Sequence, residues 1–282
     1  MDAVLLCMKK RGIRFFAKIQ FPQTNVVRFH AKYSFMGLLH TRTKKFDNVL
    51  LMAHGSSNAI LTTTHNPSHQ YTTYITADEA DAFINDFVFA ISCSTANEFG
   101  QTCVNKGAIA YLGYQVNLGP LFYSFPDDKY GIPKSVSTAV DTIIKHIFIE
   151  ELSCAYEEFL TTPINVNVLR ERFSFLLERK FAELSNMNVQ QLNEEYNVRL
   201  SENYHKKFFV TLTLQALSYL NDILPRLVCI GDGNYISSSY IAYEKEKGVS
   251  QEKLAEELES NTAFKKLLHT PYKQYLRELV AL

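Results

Sequence analysis

Three continuous apolar runs dominate the first part of the chain. They are Val49-Leu-Leu-Met-Ala53, Phe87-Val-Phe-Ala-Ile91 and Ala108-Ile-Ala-Tyr-Leu112. Runs of this length with no polar alternation predict strands buried on both faces. Ala3 to Cys7 reads as a shorter strand of the same kind, and Arg14 to Phe21 and Val26 to Phe29 are also strand-like. Ile60 to Ile75 is rich in Thr and Tyr and reads as one or two strands or a hairpin. Thr76 to Ile84 opens like a helix, with Thr76 and Glu79 spaced as a capping box and Asp78, Glu79 and Asp81 near the positive end of the helix dipole. A second helix is expected from Asn97 to Asn105. Strand, helix, strand, helix, strand in this order predicts an α/β fold with a mostly parallel sheet.

From Ser135 the period changes from runs to helical spacing. Val136 to Phe159, Val168 to Leu184 and Tyr204 to Leu224 carry Leu, Phe and Ile at intervals of three and four. Pro225 stops the last of these, and Arg226 to Gly233 reads as a strand followed by a tight turn. Ser250 to Leu258 is a capped amphipathic helix, and Ala263 to His269 has helical spacing too. Thr270 and Pro271 look like the N-cap and first position of a last helix reaching toward Leu279. The expected division is one domain over 1–243, with extra helices inserted at about 135–225, and a helical tail over 244–282.

Composition narrows the function classes. With 46% hydrophobic and 21% charged residues the chain is an ordinary folded protein, and a formal net charge of +0 argues against a nucleic-acid partner. The longest apolar stretch, Ala108 to Phe125, is interrupted by Gln115, Asn117 and Pro120, so no membrane span is expected. The first ten residues do not read as a signal peptide. The five cysteines are odd in number and widely spaced. Together these favour reduced thiols in the cytoplasm.

Chemistry enters at the strand ends. One buried run ends in His54-Gly55, the other in Ser92-Cys93. In a parallel sheet ligands gather at the carboxyl ends of the strands, so both residues should emerge on the same edge. An imidazole beside a thiol can take its proton and raise the thiolate fraction. The backbone N–H groups of Gly55 and Cys93 are the natural donors to an oxyanion. Read alone, Cys93 is a small core residue and His54 a turn histidine; the pairing argues for catalysis.

The apolar run ending in His54-Gly55, followed by Phe87-Val-Phe-Ala-Ile-Ser-Cys-Ser-Thr95, Gly100 and Gly107-Ala-Ile-Ala-Tyr-Leu-Gly-Tyr114, resembles the caspase-like cysteine peptidases, and gingipain-type and CHAT domains most. The resemblance covers 46–114 and is weaker at 226–233, where Gly233 stands in place of the Pro of the family's Ile-Gly-Asp-Pro turn. It implies a caspase-like three-layer sandwich with extra helices in the C-terminal half. It also implies a cysteine endopeptidase with Cys93 as nucleophile and His54 as general base and acid. Its substrate would be a protein or peptide, and no cofactor is required. A regulatory protein partner, as in bacterial antiviral defence or cell-death systems, follows by the same resemblance. The acidic pair Asp127 and Asp128 lies in a loop that would line the substrate pocket and favour a basic residue there; Pro126 before it also suits a solvated turn. The rival reading is a non-catalytic interaction module on the same scaffold. His65 and His69 have an H-x3-H spacing, but no matching ligands stand near them in sequence, and no metal is expected.

Overall fold

A computed structural model of the chain describes residues 3–7, 14–19, 26–29, 36–37, 48–63, 71–122 and 131–282. Among the described residues the main sheet has six strands. Five are parallel: β1 (Ala3–Cys7), β2 (Val26–Phe29), β3 (Asn48–Met52), β7 (Phe87–Ile91) and β8 (Ala110–Tyr114). The sixth, β9 (Leu227–Gly231), runs antiparallel to β8 along one edge. Their spatial order is β2-β1-β3-β7-β8-β9. A second, three-stranded antiparallel sheet joins β4 (His54–Ser56), β5 (Ala59–Thr63) and β6 (Tyr71–Thr76). The continuous apolar runs are therefore the central strands, with every residue of β3, β7 and β8 buried.

Burial on both faces requires two helical layers. On one side α1 (Phe99–Asn105) crosses from β7 to β8, and Phe99 packs edge-on to Tyr111 of β8 at 6.2 Å between ring centroids. Gly100 permits this approach, because a Cβ there would lie 2.6 Å from the Tyr111 ring. Phe87 and Phe89, two apart on β7, share the other face. They meet Phe159 and Tyr156 of α3 (Lys134–Thr161), and Phe89 also meets Phe173 of α4 (Val166–Leu184). The arrangement is an α/β fold compatible with three layers. A short helix, α2 (Gly119–Phe122), follows β8.

Beyond these, α5 (Val189–Tyr196) and α6 (His205–Ser218) complete the helical half. The chain then passes through a π turn, Tyr219–Ile223, and a 3-10 turn, Leu224–Arg226, into β9. After β9 come α7 (Ser239–Glu246), α8 (Gln251–Ser260), α9 (Thr262–Lys266) and α10 (Thr270–Ala281). These last helices share the buried core with the sheet through Leu254, Leu258, Phe264, Tyr272 and Leu276. Tyr272 stacks on Tyr235 at 4.7 Å, and its hydroxyl donates to the Ile236 carbonyl at 2.6 Å. Asn48 at the start of β3 donates to Ser237 at 2.8 Å and accepts from Tyr235 at 3.1 Å, tying the centre of the sheet to the same segment.

Several expected elements differ in kind. Arg14–Lys18 is a 3-10 helix, not a strand, and its Phe16 is buried against Phe122 and Phe148. Ala77–Phe83 is likewise 3-10 rather than α, although Glu79 accepts from the Thr76 N–H at 3.0 Å. The last helix is capped by His269, whose Nδ1 accepts from Tyr272 N–H, and not by Thr270, which is already helical. Three helices, α2, α5 and α7, lie where the residue spacing predicted none.

Candidate active site

The site begins with strand register. β3 and β7 are neighbours and parallel, with Met52 opposite Ile91. His54 and Cys93 each stand two residues beyond that last pair, at the carboxyl edge. They line one cavity of about 430 Å³, together with Ser94, Asn117, Leu118 and Phe122 among others. Both are partly buried.

His54 is held at a corner. The chain leaves the main sheet at Ala53, whose N–H still reaches the Ile91 carbonyl at 3.4 Å, and at His54 it enters the small sheet as the first residue of β4. Pairing with Leu61 on β5 fixes its backbone. Gly55 stands directly against the loop that carries Cys93. A Cβ on Gly55 would collide with the Ser92 hydroxyl and lie 2.5 Å from the Cys93 carbonyl oxygen and the Thr95 methyl. Gly55 thus lets the histidine strand press against the cysteine loop.

The cysteine loop is clamped from both sides. Ser94 N–H donates to Val116 and Ala96 N–H to Tyr114, while Glu98 and Phe99 N–H both donate to the Ser57 carbonyl, at 2.8–3.1 Å. Ser94 has φ of 57°, a left-handed conformation that costs a non-glycine residue roughly 1–2 kcal/mol. The clamps hold that turn and so fix the direction of Cys93. The Ser92 hydroxyl beside it in sequence is fully buried, with no hydrogen-bond partner among the described residues.

The sulfur is bonded by the turn after β8. Leu118 N–H donates to Sγ at 3.3 Å, and Sγ donates to Asn117 Oδ1 at 3.2 Å. Burial pushes the Cys93 thiol above its ordinary pKa, and the N–H groups of Leu118 and Gly119 pull it partly back. Of these opposing effects burial is the larger. The Asn117–Gly119 turn is absent from the sequence-derived site. Its one legible signal is Asn117-Leu-Gly-Pro120, a turn cluster directly after a buried strand.

Other expected residues fall as follows. Cys103 is packed in the core and Cys154 is exposed. Asp232 of the Gly231–Gly233 turn is structural: its carboxylate accepts from Asn234 N–H at 3.0 Å and from Leu268 N–H at 2.7 Å. Asp127 and Asp128, and the His65–His69 pair, lie outside the described residues. Among the described residues no His, Cys, Asp and Glu group could hold a metal, and no helix is long and apolar enough to cross a membrane. No protein-family model and no curated protein matches the sequence.

Proposed function

We propose that the chain is a caspase-like cysteine endopeptidase with a His54–Cys93 dyad. The observation that carries the reading is the parallel register, which brings an imidazole and a thiol from adjacent strands to one cavity. A six-stranded sheet with an antiparallel edge and helices on both faces is compatible with that family's sandwich. His54 takes the thiol proton as Sγ attacks the scissile carbonyl carbon. The N–H groups of Gly55 and Cys93 hold the oxyanion. His54 then protonates the departing amine, leaving an acyl-enzyme. Water, deprotonated by His54, adds to the acyl carbon, and the acid product leaves with the thiol restored. By the sequence resemblance alone, a regulatory protein partner in a bacterial defence system would switch the enzyme on in the cytoplasm.

Cleavage of casein and of a peptide library by wild type and Cys93→Ala, with products read by mass spectrometry, tests the reading. Cleavage lost in the variant is the expected result. Cleavage that survives it removes Cys93 as nucleophile. The alternative, a non-catalytic interaction module, has one observation in its favour. Val210, Leu214 and Leu217 form an exposed apolar stripe on α6. Cleavage by neither protein, under conditions where a binding partner is captured through that stripe, would favour it.

A further inference from the structure

The contacts of Cys93 with the turn after β8 carry more than the dyad does. Gly119 N–H donates to Asn117 Oδ1 at 2.8 Å. A backbone N–H can only donate, so this bond fixes which end of the Asn117 amide is the oxygen. The same oxygen is the one facing Sγ at 3.2 Å, and an amide oxygen can only accept. The proton between them must therefore be on sulfur. Glycine at 119 leaves room for the fold-back, since a Cβ there would lie 3.1 Å from Oδ1, a tight contact. Ionising Cys93 in this geometry would set a thiolate against an amide oxygen, with two electron-rich atoms face to face.

We propose that Asn117 is a positioning residue that keeps Cys93 as a hydrogen-bond-donating thiol in the free chain. Turning its amide over, so that Nδ2 faces sulfur, or withdrawing it, releases the sulfur for attack. The catalytic meaning of this latch rests on the peptidase reading. On release the S–H bond breaks and its proton passes to the His54 imidazole. The electron pair stays on Sγ, held by Leu118 N–H and, after the flip, by Asn117 Nδ2–H. The turn is anchored from behind by Gln215 of α6, whose Nε2 donates to the carbonyls of Pro120 at 3.2 Å and Leu121 at 2.6 Å. Burial of the thiol acts in the same direction as the latch. Of the other described residues lining the cavity, His54 is the one that titrates, and it is common to all variants below.

The test is alkylation of the full chain with iodoacetamide from about pH 6 to about pH 10.5, following the Cys93 peptide by mass spectrometry. The exposed Cys154 in the same chain is the internal reference. In Asn117→Ala the inflection should fall by about one pH unit, which is about tenfold more thiolate well below it. A less basic thiolate is about threefold less nucleophilic, so labelling at neutral pH should rise about threefold while the alkaline plateau falls about threefold. Asn117→Asp, isosteric and carrying a negative charge, should move the inflection upward. An Asn117→Ala profile that coincides with wild type, or moves upward, overturns the proposal. Should that variant not fold, an Asn117→Asp profile unmoved or moved downward does the same. The assay reads the thiol and not turnover. A chain that cleaves through Cys93 yet shows coincident profiles keeps the peptidase reading and loses the latch. One that shows the shift but never cleaves loses the peptidase reading alone.

Discussion

At the scale of single residues, Gly55 has the tightest surroundings at the site. The Cys93 carbonyl oxygen blocks a Cβ there, together with the Ser92 hydroxyl and the Thr95 methyl. Gly55→Ala must push β4 away from the Ser92–Thr95 turn, and overpacking of this kind costs about 1–3 kcal/mol. Urea unfolding should show that loss, and the same displacement should lower any Cys93-dependent cleavage. A variant as stable and as active as wild type would mean that β4 and the loop can part freely. His54→Ala should abolish cleavage while leaving the fold intact, because β4 is held by its backbone pairing with β5; circular dichroism and product analysis on one sample would separate the two effects. His54, Gly55 and Cys93 were legible because buried strands rarely end in such residues. Asn117 was not. Its role depends on a turn folding back over a sulfur 24 positions earlier, and no local pattern encodes that return.

Elements were legible in proportion to how far their own pattern decided them. The central strands and the long helices α3 and α4 carry enough buried positions to be read from period alone. Short segments were decided by what they pack against. Arg14–Lys18 becomes a 3-10 turn because Phe16 must reach Phe122 and Phe148. The helix α7 shows no one-sided pattern because Tyr240 and Ile241, adjacent in sequence, are both buried. The cap of α9 joins two elements. Asn261 Oδ1 accepts from Ala263 and Phe264 N–H at 2.8 and 3.0 Å, and its Nδ2 donates to the Pro163 carbonyl at 2.8 Å. Asn261→Ala removes a cap and a tether between distant parts of the chain, and should cost about 1–2 kcal/mol. Chemical denaturation would measure it, and a loss near zero would show that water replaces the cap.

For the whole molecule, buried ionisable groups set the alkaline limit. Burial raises the pKa values of Cys103, Tyr111, Tyr114 and Tyr219, and pushes Cys229 up to about 11. These groups stay protonated in the fold while the unfolded chain begins to lose its protons near the ordinary thiol and phenol values, about 8.5–10. Stability is therefore full below that range and falls as pH rises through it toward the folded values. Unfolding free energies at about pH 7, 9 and 10.5 should decrease in that order; a flat profile would mean that these groups ionise in place. The C-terminal helices belong to the same balance. Leu254, Leu258, Phe264, Tyr272 and Leu276 are buried, and Asp232 bonds Leu268 N–H. Removing the chain after Gly248 should expose the Tyr235–Ile236 surface and lower the melting temperature or cause aggregation. A truncated chain that melts like the full one would make the tail separable.

The amino-acid sequence by itself determined the α/β class, the central strands, the long helices and the two strand ends that carry His54-Gly55 and Cys93, because each follows from local period and burial. Only the tertiary structure decided that His54 turns into a second sheet, that β9 closes the main sheet antiparallel, and that Asn117 meets the sulfur. Those outcomes depend on contacts between residues far apart in the chain, where shape and hydrogen-bond geometry select one partner among many and leave no periodic trace in the sequence.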